Sequence, residues 1–590
     1  MSGFAIQLRC GAGRMDARES RRLAGVLALR APDAAETWSL GPLTVVTALL
    51  ETGDDRLRAR VAVVDDRWIV AGQVRLDDRE QLVAALVIAG QRARVGDPDI
   101  ALFARAWAAW GEPMLDRVLG DFSAAIHDRE SGDTLLVRDP LGVRLLYWAR
   151  TPERFVASNT LACVLVTPGV GRELDDDSLA EFVSAGMIEQ LDHTVYRDVR
   201  RVQPGHVLVV RGDGDVAERR YWQLPQVEPA HHGGGVAEGF LDVLDAAVRD
   251  RVRAPAVSIA MSSGLDSTAL AALARRGCRA SCAVHAVTTD SGTAGSEAGL
   301  AADVARFLGV EHHVVPASRG GYLGWIGSGV RFPEPVDEPD LGLWQASLQE
   351  AALHARVMLY GEDPDALLAP PDLRAFVAGR GVARAVADVL GHVLRTRSLP
   401  HLGVRDAFRR PPSGFVPSPT WLRSDLAKRR GERLAAAEPH SHATHPRLAR
   451  ALAHPLWQAF LESLDAGVHG VALDVRHPYL DLRVIRYAMG VDPLPWRQGK
   501  WLLREAMRGL LPDAARTAPK RTLSGYQQSR LTAWWATHPS PFVPGERLAS
   551  VIDVASLPPI TSTSPVDMSL VHLRLRLLDR WLRDEAGVTP

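Results

Sequence analysis

Short apolar runs separated by turn residues extend from about residue 24 to about residue 225. They include VLALRA, LTVVTALL, VAVVDDRWIVAG, FSAAIHDRESGDTLLVRD and HVLVVRGDGD, and such runs bounded by Gly, Asp and Pro predict antiparallel strands. In REQLVAALVIAGQR and IALFARAWAAWGEPMLDRVL the apolar residues recur three and four positions apart, which predicts amphipathic helices between the strands. The pattern is that of an α+β domain.

A polar passage rich in proline and glycine, QLPQVEPAHHGGG at 223–235, comes next and predicts a linker. Beyond it, helical and extended patterns alternate in VAEGFLDVLDAAVRDRV, AVSIAM, STALAALARRG, CAVHAVTTD and SEAGLAADVARFLG. Such alternation is typical of parallel βαβ units. We therefore expect an α+β domain over 1–225 and an α/β domain over 226–590.

The segment from about 370 to 455 is rich in arginine and largely helical in pattern, with a break at PPSGFVPSPTW. It matches no motif. It could form a wall of a substrate cleft or a solvated surface, because Arg clusters on helices serve solubility as well as recognition.

Composition narrows the class of protein. The 590 residues are 46% hydrophobic and 24% charged, as in ordinary globular proteins of more than one domain. Lys plus Arg (69) nearly balances Asp plus Glu (70), so no overall field attracts nucleic acid or an anionic membrane. Neither a signal-peptide pattern nor a membrane-length apolar stretch occurs. We expect a cytoplasmic protein without nucleic-acid or membrane partners.

Four cysteines, at 10, 163, 278 and 282, are too few and too scattered for a disulfide framework in a chain of this length. Cys278 and Cys282 lie four positions apart, without a second Cys or His pair at metal-site spacing. We interpret both as core thiols, which fits a reducing compartment.

Lysine occurs only at positions 428, 500 and 520, and the other basic residues are all arginine. In a chain that otherwise uses Arg, a Lys suggests that its position requires an ammonium group. An ammonium and a guanidinium are not interchangeable at a phosphate or a reacting centre. Lys428 lies in AKRRGER, which is typical of a solvated helix face. Lys500 and Lys520 are therefore candidate site residues.

The strongest local signal is the loop SSGLDS at 262–267, between a predicted strand and a predicted helix. Unpaired N–H groups at a helix N-terminus attract anions, and small residues let phosphate oxygens approach the main chain. Asp266 suits phosphate only if a cation intervenes, which suggests Mg²⁺ held partly by substrate oxygens. Taken alone, the loop is equally compatible with a turn that only caps the helix.

This loop resembles the SGGxDS pyrophosphatase-type loop of the asparagine synthetase superfamily, with Ser263 where the first Gly is usual. VHAVTTDSGTAGSEAGLAADVARFLGVEHHVV, which contains Val287, is similar to the strand and helix that contact adenine in that superfamily. VMLYGEDPDALLAPP is similar to its Gly-Glu-Gly-x-Asp-Glu-Leu segment. Gly361, Glu362 and Asp365 match that segment.

Two further segments extend the resemblance. LDVRHPYLDLRVIRYAM resembles the superfamily's Glu-x-Arg-x-Pro-Phe-Leu-Asp stretch, with Asp474 in the Glu position and with Arg476 and Asp481 retained. GKWLLREAMRGLLPDAARTAPKRT resembles the last ATP-site segment and contains both candidate lysines. Four ordered motifs over some 260 residues imply an α/β PP-loop synthetase domain.

The first 225 residues resemble the glutaminase domain of the same superfamily, which implies an Ntn-hydrolase-like sandwich. The similarity lies in LGDFSAAIHDRESGDTLLVRDPLGVRLLYWA at 119–149 and in RRVQPGHVLVV. Such a glutaminase needs Cys directly after the initiator Met as its nucleophile, and this chain has Ser2. AGQVRLDDRE stands where the glutamine-binding segment would be. We expect a degenerate glutaminase domain, although an N-terminal Ser could in principle replace Cys.

The resemblance implies that the chain binds ATP and Mg²⁺ and joins a carboxylate to AMP, releasing pyrophosphate. Asp266 and Asp365 would hold the metal, and Lys500 would neutralise phosphate charge. Lys520 would contact the α-phosphate and the tetrahedral oxyanion, where fixed positive charge helps most. The other implied nucleotide contacts are Ser262, Ser263, Gly264, Leu265, Ser267, Val287 and Gly361.

Two acids are candidate proton acceptors under the same resemblance. Glu362, together with Asp474, would accept a proton from the attacking amine. For both residues the alternative is a surface or salt-bridge carboxylate.

Superfamily members without glutaminase chemistry include β-lactam synthetases, which close a small amino acid. They also include lasso peptide cyclases, which join a peptide's N-terminal amine to an Asp or Glu side chain. We favour the cyclase because the chain is long, because 370–455 adds surface beyond a minimal ATP site, and because Glu362 stands where β-lactam synthetases typically have Tyr. An α-amine has a reference pKa of about 7.7–8.0 and is therefore partly neutral near pH 7, so it needs only a weak general base to act as the nucleophile.

The cyclase resemblance implies a leader-free precursor peptide as substrate, and a leader peptidase and a leader-binding protein as partners. An asparagine synthetase that uses free ammonia and a non-catalytic ATP-dependent binding protein stay open as alternatives.

Overall fold

The computed structural model describes the chain apart from residues 1–2, 10–14, 55, 57, 213, 228–229, 231–233, 279–281, 291–296, 321–331, 362–363, 372, 403–415, 437–441, 443, 520–525, 538–541, 561–565 and 587–590. Within the described residues, two antiparallel sheets and one parallel sheet organise the chain. No helix in this part of the chain combines the length and the apolar character needed to cross a membrane.

The first domain is built on two stacked antiparallel sheets. Its strands are β1 (Gly3–Arg9), β2 (Ala34–Leu40), β3 (Leu43–Leu49), β4 (Val61–Val64), β5 (Trp68–Leu76), β6 (Gly120–Asp128), β7 (Thr134–Arg138), β8 (Tyr147–Arg150), β9 (Arg154–Ser158), β10 (Val199–Arg201), β11 (His206–Val210) and β12 (Val216–Arg220). One sheet has the order β10-β8-β9-β1-β3-β2, and the other has the order β12-β11-β7-β6-β5-β4.

Side-chain alternation along β1 shows why these strands stack. Phe4 and Ile6 are fully buried in the core between the two sheets, whereas Ala5 points to the opposite face of its sheet. Ile6 pairs with Val45 of β3, which lies in the same core. A period of two places alternate residues on opposite faces, so one strand supplies two separate cores.

Helices cover the outer face of each sheet. They are α1 (Ala17–Leu27), α2 (Arg79–Ile88), α3 (Asp99–Trp110), α4 (Leu161–Leu165) and α5 (Asp176–Ala185). Leu23 and Leu27 of α1 pack under the first sheet, and Phe103 of α3 packs against the second. The result is a helix–sheet–sheet–helix sandwich, which confirms the predicted α+β sandwich.

One predicted strand is wrong. VLALRA at 26–31 is the end of α1 and the turn after it, not a strand. Leu23 and Leu27 lie four positions apart and are both buried, so the run belongs to a helical period that starts before it. A short apolar run cannot by itself distinguish a strand from the end of a helix.

The second domain contains the parallel sheet and most of the helices. Its strands are β13 (Ala256–Ala260), β14 (Ala283–Asp290), β15 (Glu311–Pro316), β16 (Val357–Leu359) and β17 (Asp474–Arg476). Its helices are α6 (Val236–Arg251), α7 (Leu265–Gly277), α8 (Glu297–Leu308), α9 (Ala317–Gly320), α10 (Leu341–His354), α11 (Pro364–Leu367), α12 (Leu373–Ala378), α13 (Val382–Thr396), α14 (Ser424–Ala436), α15 (Pro446–Ala453), α16 (Pro455–Ser463), α17 (Ala466–His469), α18 (Leu482–Met489), α19 (Trp501–Ala506), α20 (Asp513–Arg516), α21 (Tyr526–Thr537), α22 (Glu546–Ala549) and α23 (Val566–Ala586).

Helices pack on both faces of the parallel sheet. Phe240 of α6 and Leu270 of α7 share a core with Ile259 of β13 on one face. On the other face, Ala346 of α10 shares a core with Met358 of β16. Burial on both faces is typical of parallel sheets, and the arrangement confirms the predicted α/β domain.

The strand order β15-β14-β13-β16-β17 places a topological switch beside β13. The chain first adds β14 and β15 on one side of β13 and then returns to add β16 and β17 on the other side. In open α/β sheets, ligands bind in the crevice at the carboxyl ends of the strands on either side of such a switch. The loops that follow β13 and β16 meet at that edge.

The interpretation of Cys278 and Cys282 as core thiols is wrong, because the two residues form a disulfide bond. They are half-buried and flank the connection from α7 to β14, with Cα atoms 5.4 Å apart. That separation lies within the range that a disulfide spans. Cys163 is the buried thiol among the described cysteines.

The described part of the Arg-rich segment forms helices α12 to α15, with non-helical stretches between them. Phe376 of α12 and Ala385 of α13 form a small core with Leu402 and with Leu494, which precedes α19. Its helices α12 and α13 therefore pack onto the second domain, whereas Leu426 of α14 shares a core with Phe182 of α5 in the first domain.

Candidate active site

The loop after β13 folds onto the first turn of α7. The Ser262 amide donates to Ser267 Oγ at 3.0 Å, and the Gly264 amide donates to Ser262 Oγ at 3.1 Å. α7 begins at Leu265, and Gly264 at its N-cap provides no side-chain cap. The first-turn N–H groups of such a helix have no partner within the helix and favour an anion.

Ser263 departs from the family pattern without backbone strain. It is not among the non-glycine residues with positive φ in the described chain, so a side chain is compatible with its conformation.

The loop after β16 passes close to the same helix turn. A Cβ atom added to Gly361 would lie 2.9 Å from Ser267 Cα, so a larger residue would require the backbone to shift. Tyr479 Oη donates to the carbonyl oxygen of Asp266 at 3.0 Å and supports the turn from below. The absence of a side chain at 361 therefore lets the two loops converge.

Three predicted site residues meet at this point. The Lys500 ammonium contacts the carboxylate of Asp266 and lies 2.6 Å from Asp365 Oδ1. The side chains of Lys500 and Asp266 are 17% and 22% exposed, which leaves them open to a ligand but shielded from bulk water. Lys500 has a φ of 60°, and Gly499 before it has a φ of 55°. A non-glycine residue with positive φ is uncommon and tends to mark functional sites.

The same geometry fits a divalent cation. Two carboxylates that reach a single ammonium group direct oxygen atoms to one place, and carboxylate oxygens are the ligands that Mg²⁺ takes from proteins. Asp266 and Asp365 are therefore placed to hold Mg²⁺ together with phosphate oxygens.

Two cavities open on either side of the loop. The larger, of about 720 Å³, is lined by Ser262, Ser263, Gly264, Leu265, Asp266, Asp365 and Lys500 among others. The smaller, of about 380 Å³, adds Ser267, Val287 and Gly361. Both cavities share Ser262, Gly264, Asp266 and Asp365, so the loop and the acidic pair separate one from the other.

Sequence reasoning did not identify several residues that line these cavities. Trp344 of α10 and Tyr360 form an aromatic wall of the smaller cavity, with ring centroids 6.3 Å apart. Arg504 lines the larger cavity and donates to the carbonyl oxygens of Gly499 and Ala518. The sequence could have indicated Arg504 as a site residue, because it follows Lys500 by four positions on a predicted helix and such residues share a helix face.

Asp474 lies elsewhere, in a buried ion cluster between the two domains. Its carboxylate is 2.8 Å from Arg476 Nε and 3.1 Å from an amino nitrogen of Arg144, which belongs to the first domain. Burial alone would raise the pKa of Asp474, but neighbouring positive charge, including both guanidinium groups, holds it well below its usual range. Asp474 lines neither cavity, and its role as a proton acceptor stays a prediction.

A second part of the cluster surrounds Arg251 of α6. This fully buried guanidinium lies 2.8 Å from Asp481 of the second domain and 3.2 Å from Asp77 of the first. Asp121 of the first domain is 3.6 Å away. The retained residues Arg476 and Asp481 therefore pair with Asp474 and Arg251, the two second-domain residues whose charges meet partners in the first domain.

Several predicted residues fall outside the described part of the chain. Glu362, Lys520 and Ser2 are among them. Their assigned roles stay predictions.

The segment AGQVRLDDRE, which stands in place of a glutamine-binding sequence, is largely buried, and its buried polar side chains have partners within the fold. Gln73 accepts a hydrogen bond from Asn159 Nδ2 at 2.9 Å. Arg75 pairs with Asp77 and Asp121 and is 4% exposed. These polar groups are therefore used within the fold.

Comparison with known proteins gives two family matches. The asparagine synthase family model matches residues 239–538, and the glutamine amidotransferase domain model matches residues 10–222. The predicted fold class, a glutaminase-like sandwich followed by an asparagine synthetase-like domain, is confirmed.

Individual relatives are distant. A glutamine-hydrolysing asparagine synthetase of Bacillus subtilis (strain 168), number 3, is 24% identical over 263 residues, covering 43% of this chain and 42% of that protein. Number 1 of the same organism is 23% identical over 449 residues, covering 71% of this chain and 69% of that protein. The first match thus spans less than half of its relative.

Among solved structures, the glutamine phosphoribosylpyrophosphate amidotransferase from B. subtilis is 12% identical, covering 66% of this chain and 79% of that chain, with a TM-score of 0.27. This structural similarity is too low to indicate an activity for this chain.

Proposed function

The chain belongs to the asparagine synthase family, and from this premise we propose that it is an ATP-dependent carbon–nitrogen ligase that forms AMP. The observation that carries the proposal is the meeting of Asp266, Asp365 and Lys500 at the N-terminus of α7, at the switch point of the sheet. An anion site, an acidic pair and a lysine at one point suit a magnesium-bound triphosphate.

The residues divide the nucleotide between the two cavities. The smaller cavity, with the β14 backbone at Val287 and the aromatic wall of Trp344 and Tyr360, takes the adenine. The loop amides take the phosphates. Asp266 and Asp365 would hold magnesium, which would supply charge neutralisation at the phosphate oxygens.

In the first half-reaction, a carboxylate oxygen of the substrate attacks the α-phosphorus and pyrophosphate leaves. Lys500 is placed to neutralise the leaving group, and Lys520 is proposed to hold the α-phosphate. In the second half-reaction, an amine nitrogen attacks the acyl carbon and AMP leaves with the electrons of the broken C–O bond. Glu362 is proposed to accept the proton that the amine loses, and Lys520 to stabilise the oxyanion.

We propose further that the substrate carries its own amine, as a leader-free peptide whose N-terminal amine attacks an internal Asp or Glu side chain to give a macrolactam. One observation supports this. The polar groups that stand where a glutamine pocket would be, Gln73 and Arg75, are paired with internal partners.

On this proposal, a leader peptidase and a leader-binding protein act before the chain and deliver the peptide. An asparagine synthetase is the second candidate, because both relatives described above carry that name.

Synthetic peptides with a free N-terminus and an internal Asp or Glu, incubated with the protein, ATP and Mg²⁺, test the proposal. We expect AMP, pyrophosphate and a product one water lighter. The N-acetylated peptide is the matched control: it should still support ATP–pyrophosphate exchange but lose no water, because its carboxylate is intact and its amine is blocked.

The Ser2→Ala protein should behave as wild type, because Gln73 and Arg75, which stand where a glutamine pocket would be, are paired within the fold. Asparagine formed from aspartate and ammonia, with no peptide product, would reject the macrolactam and leave the ligase. β-Lactam formation from a small amino acid would do the same. A protein that binds ATP but releases no pyrophosphate with any acceptor would reject the ligase itself.

A further inference from the structure

Three histidines from separate elements meet on one face of the parallel sheet, outside both cavities of the nucleotide site. They are His285 of β14, His313 of β15 and His354 at the end of α10. One ring nitrogen of each lies within 4.8 Å of the others, and all three side chains are half-buried. The sequence separates them by 28 and 41 residues, so only the sheet topology brings them together.

The donor atoms already have spacings close to those of a tetrahedral metal site. His285 Nδ1 lies 3.3 Å from His313 Nε2 and 3.4 Å from Glu311 Oε2. Glu311 Oε1 lies 3.8 Å from His313 Nε2. With metal–nitrogen bonds of about 2.0–2.1 Å, the donors of a tetrahedral zinc site are roughly 3.3–3.4 Å apart. The donor atoms of His285, His313 and Glu311 would therefore need to move little to bind one metal ion.

His354 brings its own supporting carboxylate. Its ring stacks on His313 with centroids 3.6 Å apart, and its Nε2 lies 3.1 Å from Glu350 Oε1. Metal-binding histidines commonly donate one ring N–H to a carboxylate, which orients the ring and leaves the other nitrogen for the metal. Glu350 occupies that supporting position on the preceding turn of α10.

We propose that His285, His313 and His354 bind one divalent transition-metal ion of the zinc class, with Glu311 as the fourth ligand. Imidazole suits zinc, copper and nickel and is a poor ligand for magnesium, so this site differs in chemistry from the acidic pair.

The ion joins the end of α10 to β14 and β15, the outer two strands at one edge of the sheet. His285, Val287 and Thr289 alternate along β14 and so share one face of the sheet. Val287 and Thr289 line the smaller cavity, as do Trp344 and other residues of α10. The metal therefore stabilises the wall of the nucleotide site without entering it.

Competition of untagged protein with a chromophoric chelator for Zn²⁺, in excess Mg²⁺ to occupy the acidic pair, tests the proposal. We expect one equivalent of Zn²⁺ to bind. Loss of a supporting carboxylate typically costs about 10–100-fold in metal affinity, so Glu350→Gln should fall in that range. His313→Gln removes a ligand and should cost at least ~100-fold. The matched control is His401→Gln, an exposed histidine outside the cluster, which should bind as wild type.

Two further measurements detect the metal in the wild-type protein by other signals. Co²⁺ added to wild-type protein should give the intense visible absorption of a four-coordinate site. Zn²⁺ should raise the thermal midpoint of wild type and not that of His313→Gln. The proposal is overturned if wild type binds no stoichiometric Zn²⁺, or if Co²⁺ gives only the weak spectrum of six oxygen ligands. It is equally overturned if a folded His313→Gln keeps its affinity within about threefold, far short of the ~100-fold loss expected for a lost ligand.

Discussion

Asp474→Asn is expected to destabilise the protein far more than it slows catalysis. The substitution removes the charge that faces Arg476 and Arg144 at 2.8 and 3.1 Å, where all three side chains are at most 3% exposed. Removing one partner of a buried ion pair leaves an uncompensated charge and costs about 3–5 kcal/mol. Asp121, 3.8 Å from Arg144, compensates one of the two guanidinium groups in part, so we expect about 3 kcal/mol.

The expected cost has a definite pH dependence. The folded-state pKa of Asp474 is depressed, so its contribution is present above the unfolded value of about 3.9 and is lost only as the pH falls through the folded value. Between pH 5 and 8 the loss in Asp474→Asn should therefore be constant. A carboxylate with so low a pKa is also a weak proton acceptor, which argues against a role as general base.

Thermal and urea midpoints of wild type, Asp474→Asn and Asp513→Asn provide the assay, read with kcat for amide formation. A loss of about 3 kcal/mol corresponds to a midpoint shift of roughly 6–12 °C in a domain of ordinary size. Asp513 is the matched control, because its side chain is 83% exposed and pairs with Arg516, and exposed pairs are worth about 0–1 kcal/mol. Adding Arg144→Met to Asp474→Asn should recover part of the loss. An unchanged midpoint with kcat reduced more than ~100-fold would show that Asp474 acts in catalysis and that this reasoning is wrong.

Three other predictions concern the site and the region beside it. Asp266→Asn and Asp365→Asn should each raise the Mg²⁺ concentration for half-maximal rate by about 10-fold or more without lowering the thermal midpoint, and superimposable Mg²⁺ titrations would remove them from the site. Lys520→Arg should lose about 10²- to 10³-fold in kcat, nearly as much as Lys520→Ala, because a planar guanidinium cannot replace a compact ammonium at phosphate and oxyanion together; retention of more than about a third of kcat, far above that loss, would contradict this. Burial raises the pKa of Glu338 to about 7, so its contribution to stability is present below about pH 4.5 and is lost as the pH rises through 7. The midpoint of Glu338→Gln relative to wild type should thus rise from pH 5 to pH 8, and a constant difference would show that Glu338 titrates normally.

The parallel domain was predictable because its signals are local. The alternation of helix and strand from 236 to 308 follows from apolar periodicity, and the loop at 262–267 follows from small residues between a strand and a helix. The contact of Asp266, Asp365 and Lys500 could be predicted only from the family resemblance. These residues are 99 and 135 positions apart, and no local sequence pattern indicates that they meet. The prediction of a strand for VLALRA was wrong because the evidence for a helix lies partly outside the run. Leu23, which precedes it, is buried on the same helix face as Leu27.

The place of Asp474 could not be found in the sequence, because its partner Arg144 lies 330 positions away in the other domain. A buried carboxylate is informative only together with what neutralises it. The histidine cluster raises the same difficulty, since His285, His313 and His354 come from separate elements that only the sheet topology brings together.

The ion cluster gives the first domain a function that needs no glutaminase chemistry. Arg251 and Asp481 of the second domain are both buried, and Asp77 of the first domain contacts Arg251 at 3.2 Å. Without the first domain, Arg251 would keep Asp481 but would lose Asp77 and Asp121, and Asp474 would lose Arg144. Buried charges are tolerated when they are paired and costly when a partner is removed. The second domain therefore depends electrostatically on the first, and a synthetase of this architecture has a physical reason to retain the sandwich that is independent of any glutaminase chemistry.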